Sequence, residues 1–199
     1  GLWTCNQSLY YEDRTVAVVF NGEIYNYREL RRTLEDRGHR FCTSSDTETI
    51  VHGYEEWGEQ VFSKLRGMFG IALWSERSRT LFVVRDRAGI KPLYYAEAGD
   101  RLFFGSEAKC VLANPEVDRQ LDAAALDHYL AYQYTPRDGS IFPGTRKLRP
   151  GHHLEELARF AAHVLHPLMA RRVIGDFPQR LDEIGPEKPV AMAQHGVEH

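Results

Sequence analysis

The chain has 199 residues, with 25 Lys+Arg against 28 Asp+Glu, a formal net charge of −3, 43% hydrophobic and 27% charged residues. This is ordinary globular composition, long enough to bury a core. It offers no basic face for nucleic acid, and in the first hundred residues no apolar run longer than 16–20, far short of a membrane span.

No charged-then-apolar leader opens the sequence. Cys5, Cys42 and Cys110 are odd in number and widely spaced, which points away from a disulfide framework and towards a reducing, cytoplasmic setting. Residues 1–13 are polar and aperiodic, an unassigned leader. Residues 15–20 are β-branched and apolar, a buried strand that Asn21-Gly22 should end. Asn26, three residues before Glu29, resembles a capping box, and a helix should run through Leu30 and Leu34 to Gly38. Residues 40–43 read as a short strand. Ser45-Asp46-Thr47-Glu48 is a second capping pattern, opening a helix with Ile50, Val51 and Tyr54 on its apolar face and Gly58 as its stop. A short helix over 61–65 follows.

Residues 68–74 and 80–84 are apolar strands around the polar segment 75–79, and therefore a hairpin. A second hairpin joins 93–96 to 101–104. Ser106 is placed to cap a helix through Val111 and Leu112, and Asp122 to cap another with Leu126, Tyr129 and Leu130 on one face. Helices and strands alternate early and meandering strands follow, which implies a layered α/β or α+β domain with antiparallel pairs.

Few constellations could carry chemistry. Asn21-Gly22-Glu23 follows a buried strand; Asn-Gly is a common hairpin turn, yet the following residues read as a helix start. A strand end presenting an Asn amide and a Gly N–H is also a suitable oxyanion site, because both donors can face one developing charge. Asp46, beside the capping Ser45, is well placed for a substrate ammonium. Arg85-Asp86-Arg87 leads into a Gly-Lys-Pro succession that reads as a shaped turn. No metal site is expected: His152-His153 and His163-x-x-His166 lack completing ligands at familiar spacing. There is no phosphate loop and no G-x-S-x-G elbow.

The ordered set Phe20-Asn21-Gly22-Glu23-Ile24-Tyr25-Asn26, Ser45-Asp46-Thr47-Glu48, Arg66-Gly67-Met68-Phe69, Arg85-Asp86-Arg87-Ala88-Gly89-Ile90-Lys91-Pro92-Leu93-Tyr94-Tyr95 and Phe104-Gly105-Ser106-Glu107-Ala108-Lys109 resembles one family. It is similar to the glutaminase domain of glutamine-hydrolysing asparagine synthetases, class II glutamine amidotransferases with the N-terminal-nucleophile (Ntn) hydrolase fold. The resemblance implies a partial αββα layered α+β domain over 14–153, including a linker. It implies that an N-terminal Cys thiolate attacks the glutamine amide with the chain's α-amine as base. In that scheme Asn21 and the Gly22 N–H hold the oxyanion, and Glu23 and Asp46 hold the substrate's α-ammonium. The product ammonia would pass to a synthetase domain or subunit that activates aspartate with ATP and Mg²⁺; this chain itself needs no cofactor.

Two features depart from the family. Residue 1 is Gly1 where the nucleophilic Cys belongs, and the Arg-Gly-Pro-Asp segment whose Arg takes the glutamine carboxylate is missing. Cys5 lacks the family context of the nucleophile. The resemblance thus implies a glutaminase domain inactive as this chain, with a non-catalytic relict or scaffold that keeps the amidotransferase fold as the alternative. Residues 154–199 are an unassigned tail, mainly helical or irregular, with Leu154, Leu157, Phe160, Ala161, Val164, Leu165 and Leu168 at helical spacing. Glutamine is the expected ligand, and nucleic acid and membrane are excluded as partners.

Overall fold

The computed structural model describes residues 8–10, 15–99, 101–135, 138–158 and 169–174. Strand β1 (Ser8–Tyr10) falls within the stretch left unassigned and pairs with β2 (Val16–Ile24). β2 does not stop at Phe20 as expected; it carries Asn21-Gly22-Glu23 within the strand. Helix α1 (Tyr27–Asp36) follows, but the Asn26 side chain makes no cap. Its amide donates to the Lys64 carbonyl at 3.0 Å and its oxygen accepts from the Arg66 N–H at 2.9 Å, so a residue expected to cap a helix pins a distant loop.

The strand expected over 40–43 is irregular instead. Its backbone donors have another acceptor: the Glu48 carboxylate takes the N–H groups of Cys42 (2.6 Å) and Thr43 (2.7 Å) and the Thr43 hydroxyl (2.6 Å). Burial pushes the Glu48 carboxyl up, but these bonds and the nearby His52 outweigh it and hold it below the usual carboxylate range. Helix α2 (Asp46–Trp57) begins as expected, with the Ser45 Oγ accepting from the Thr47 N–H at 3.2 Å, and ends at Gly58. A 3₁₀ turn (Gly58–Gln60) leads into helix α3 (Val61–Lys64).

β3 (Gly67–Ser75) and β4 (Thr80–Arg85) form the first expected hairpin, and β5 (Tyr94–Ala98) and β6 (Arg101–Gly105) the second. Helix α4 (Ala108–Leu112) starts at Glu107 without a side-chain cap, so Ser106 does not cap it. Asp122 does cap α5 (Ala123–Tyr132), its Oδ1 accepting from the N–H groups of Ala124 and Ala125. The apolar face expected on α5 is not buried by the described residues, since Leu130 is 71% exposed. Strand β7 (Arg146–Lys147) is short.

The expected helix from Leu154 is replaced over its described start by strand β8 (His153–Ala158), paired with β4; β9 (Met169–Ile174) adds to it. Residues 154 and 157 lie at helical spacing, and an open edge of β4 overrides it by offering a ladder. Leu154 then fills the core opposite Val83. Residues 159–168, including His163 and His166, lie outside the described residues.

Both sheets are antiparallel, one of six strands in the order β1-β2-β3-β4-β8-β9 and one of three in the order β6-β5-β7. The two-residue period of the strands sorts the core into layers. Val18, Phe69, Ile71, Leu73 and Phe82 face Leu30 of α1, Ile50 and Val51 of α2 and Phe62 of α3. The opposite face presents Val83 and Leu154 to Tyr95 of β5, with Leu93 and Leu148 between. Beyond β5, Ala96 packs with Val111 of α4 and Val117. Helices, sheet, sheet and helix stack as an αββα arrangement. No helix among the described residues is long and apolar enough to cross a membrane.

The turn after β4 ties the layers together. Asp86 is fully buried; its carboxylate accepts from the N–H groups of Phe69 (3.2 Å), Ile90 (2.9 Å) and Lys91 (2.9 Å), and its carbonyl accepts from Gly89 and Gly151. Arg85 donates to the carbonyls of Lys91, Leu148 and Gly89 at 2.6–2.7 Å. The shaped turn expected here is present, and the charges of Arg85 and Asp86 are taken up by backbone groups. Replacing Asp86 by Ala leaves three backbone donors unanswered, and denaturant unfolding should show a loss of roughly 3–5 kcal/mol.

Candidate active site

The residues expected to bind substrate come together at the C-terminal end of β2. Asn21 and Glu23 are exposed on the strand face turned away from α1 and α2, two positions and so about 6.7 Å apart. The Asn21 amide donates to the Ser106 hydroxyl at 2.9 Å, which links the end of β2 to the segment after β6. Ser106 is the residue that sequence reading assigned to a cap; its partner is 85 positions away, and no local pattern reports it. Asp46, half-buried at the start of α2, accepts the Ile24 N–H through Oδ2 at 3.0 Å.

Backbone alternation then fixes the direction of the Gly22 donor. Phe69, opposite Gly22, exchanges hydrogen bonds with Asp86 on the β4 side, its N–H to the carboxylate and its carbonyl from the Asp86 N–H. Gly22 and Phe69 are therefore a pair without mutual hydrogen bonds. The Ile24 N–H points to Asp46, away from β3, and Gly22, two residues back, points its N–H to the same edge. That edge lies beyond the described stretch of β1, which pairs only as far as Val19. Asn21, Gly22, Glu23 and Asp46 thus surround one strand end, with two donors and two carboxylates.

Glycine is required at this point. Gly22 has φ +153°, and a β-carbon there would lie 2.0 Å from the Met68 carbonyl oxygen. Gly67, at the other side of the pair, would place one 2.0 Å from the Glu23 carbonyl oxygen. The strands approach so closely that both residues must lack a side chain.

Cys5 lies outside the described residues. Cys42 and Cys110 are exposed and form no disulfide among the described residues, and neither is a chain terminus. Of the histidines set aside at first, His152 places Nδ1 2.9 Å from the Pro150 carbonyl oxygen, and His153 is buried against Phe62 and Phe82, where desolvation lowers its pKa.

The family model described as "Glutamine amidotransferase domain" matches residues 3–163. The chain belongs to this family. The match reaches into both flanking stretches that the sequence leaves unassigned. Among similar proteins, asparagine synthetase [glutamine-hydrolyzing] 1 of Bacillus subtilis is 42% identical over 145 residues, 73% of this chain and 23% of that protein. Asparagine synthetase [glutamine-hydrolyzing] 3 of Arabidopsis thaliana is 45% identical over 107 residues, 53% of this chain and 18% of that protein. The chain spans about a quarter or less of these relatives' length. The fold also matches a glutamine phosphoribosylpyrophosphate amidotransferase from B. subtilis, with a TM-score of 0.51 and 20% identity, over 83% of this chain and 30% of the other. The glutamine amidotransferase domain here accordingly has the Ntn-hydrolase type of α+β architecture.

Two substitutions separate the backbone of this domain from its chemistry. Gly22→Ala forces the β2–β3 pair apart and should cost roughly 3–5 kcal/mol in denaturant unfolding. Asn21→Ala loses one exposed hydrogen bond and should cost less than about 1 kcal/mol in the same measurement.

Proposed function

We propose that the end of β2 is the glutamine-binding half of a glutaminase site, serving transfer of ammonia in an asparagine-synthetase-type enzyme. The observation that carries this reading is the convergence of the Asn21 amide, the edge-directed Gly22 N–H and the Glu23 and Asp46 carboxylates on one strand end. In this reading Glu23 and Asp46 receive the substrate's α-ammonium, where two carboxylates suit one cation. Asn21 and Gly22 donate to the amide oxygen as attack on its carbon makes it negative, which lowers the barrier because the donors are already oriented. Asp46 also fixes the Ile24 N–H, so one carboxylate both positions the strand end and lines the site.

The nucleophile in this reading is an N-terminal cysteine thiolate, and the described residues hold only the internal Cys42 and Cys110. These residues bind and polarise glutamine; attack on it needs a thiolate from outside them. In this reading the ammonia acceptor is aspartate activated with ATP and Mg²⁺ on a synthetase segment or subunit, as the family resemblance implies, and the relatives' names support asparagine synthesis with glutamine hydrolysis. No cofactor is needed at the end of β2, and three widely spaced cysteines suit a reducing, cytoplasmic setting.

Calorimetric titration of the purified 199-residue chain with glutamine, alongside an enzymatic assay for glutamate, tests this. We expect saturable binding, weakened at least tenfold by Glu23→Gln or Asp46→Asn, with no steady release of glutamate. A folded chain that ignores glutamine, or binds it equally well in both variants, would overturn the reading.

A further inference from the structure

Near the other end of α2, about 9 Å along the helix from Asp46, two histidines and a carboxylate converge. His39, in the loop after α1, places its Nδ1 3.2 Å from the Nδ1 of His52. Glu55 places Oε2 3.0 Å from His52 Nδ1 and 3.7 Å from His39 Nδ1. A tetrahedral Zn²⁺ with ordinary nitrogen and oxygen bond lengths holds its ligand atoms about 3.3 Å from one another. The triangle of 3.0, 3.2 and 3.7 Å is already that size.

The far side of each ring supplies a second, independent observation. His39 Nε2 lies 3.2 Å from Oε2 of Glu56, and His52 Nε2 lies 3.6 Å from Oε1 of Glu48. For His39 the hydrogen-bonded Glu56 carboxylate favours the tautomer with its proton on Nε2, which leaves the Nδ1 lone pair facing inward. The His39 lone pair, His52 Nδ1 and a Glu55 oxygen then meet at one point. At such separations the three atoms are held together either by a proton on one imidazole, as in a His52–Glu55 hydrogen bond, or by a cation between them.

The site has an entrance. His39 and Glu55 line a cleft of about 480 Å³ together with Thr15, Tyr54, Ser75 and Arg77, while His52 is fully buried beneath them. The cleft leaves the open side of the triangle accessible for an ion and for a water as fourth ligand. His52 and Glu55 share one face of α2 at a spacing of three residues, and His39 comes from the preceding loop, so an ion would clasp that loop to the helix.

We infer that His39, His52 and Glu55 form a binding site for a single divalent transition cation of the Zn²⁺ class, held in orientation by Glu48 and Glu56. The ion ties the segment around 39–45, which leads into the start of α2, to the body of that helix. The site is separate from the end of β2, and the inference does not depend on the glutamine reading.

The test is binding of Zn²⁺ to the chelator-treated full chain by calorimetry, with Co²⁺ as a spectroscopic probe of low coordination number. We expect one ion per chain and a rise in melting temperature on loading. His39→Gln and Glu55→Gln, both at partly exposed positions, should keep the helical circular dichroism and weaken binding at least roughly a hundredfold. Glu56→Gln, which touches no ion, should weaken it roughly 10- to 100-fold, as loss of a carboxylate behind a metal-bound histidine does. The double variant His163→Gln/His166→Gln should bind unchanged. Absence of stoichiometric binding by the folded wild-type chain, retention of the ion by His39→Gln, or its loss only in the His163/His166 variant would each overturn the inference.

Discussion

Two carbonyl oxygens, of Met68 and Glu23, occupy the space where β-carbons on Gly22 and Gly67 would project. Strands β2 and β3 therefore lie closer at this end than side-chain-bearing residues allow, and the rest of the molecule is arranged around the consequence. With Phe69 turned towards Asp86, Gly22 exchanges no hydrogen bond with its partner and its N–H faces the strand's other edge. The close approach of the Met68 carbonyl and the outward-facing N–H thus coincide at Gly22.

Holding that geometry takes a buried anion. Asp86 joins β3, through Phe69, to the turn that carries Ile90 and Lys91, and through its own carbonyl to Gly151 just before β8. Arg85 does the complementary work with carbonyls of the same segments. Each accepts or donates to backbone only, so the charges fix chain paths instead of pairing with one another. The two sheets are registered by this turn before any apolar contact between Val83, Leu154 and Tyr95 is considered.

Much of this is legible in the sequence where the signal is local. The two hairpins and the Ser45 and Asp122 caps follow from residues within a few positions of one another. Four readings went astray for one shared reason, that the deciding partner is remote. Asn26 and Ser106 carry capping chemistry but are engaged by Lys64, Arg66 and Asn21. Residues 40–43 give their donors to Glu48, and Leu154 joins a ladder whose other strand begins at Thr80. Asn21, Gly22, Glu23 and Asp46 were nameable because they sit in a recognisable order, yet the strand expected to end at Asn21-Gly22 runs on to Ile24. His39 and His52, thirteen positions apart with no motif between them, are invisible until the loop is folded against the helix.

The claim that matters most is that glutamine sits at the end of β2. Backbone amide shifts of the isotopically labelled chain, followed through a glutamine titration, address it directly. The amides of Asn21, Gly22, Ile24 and Asp46 should move together and saturate together, with those of His39 and His52 unmoved. Shifts confined to other parts of the fold, or none at saturating glutamine, would contradict it.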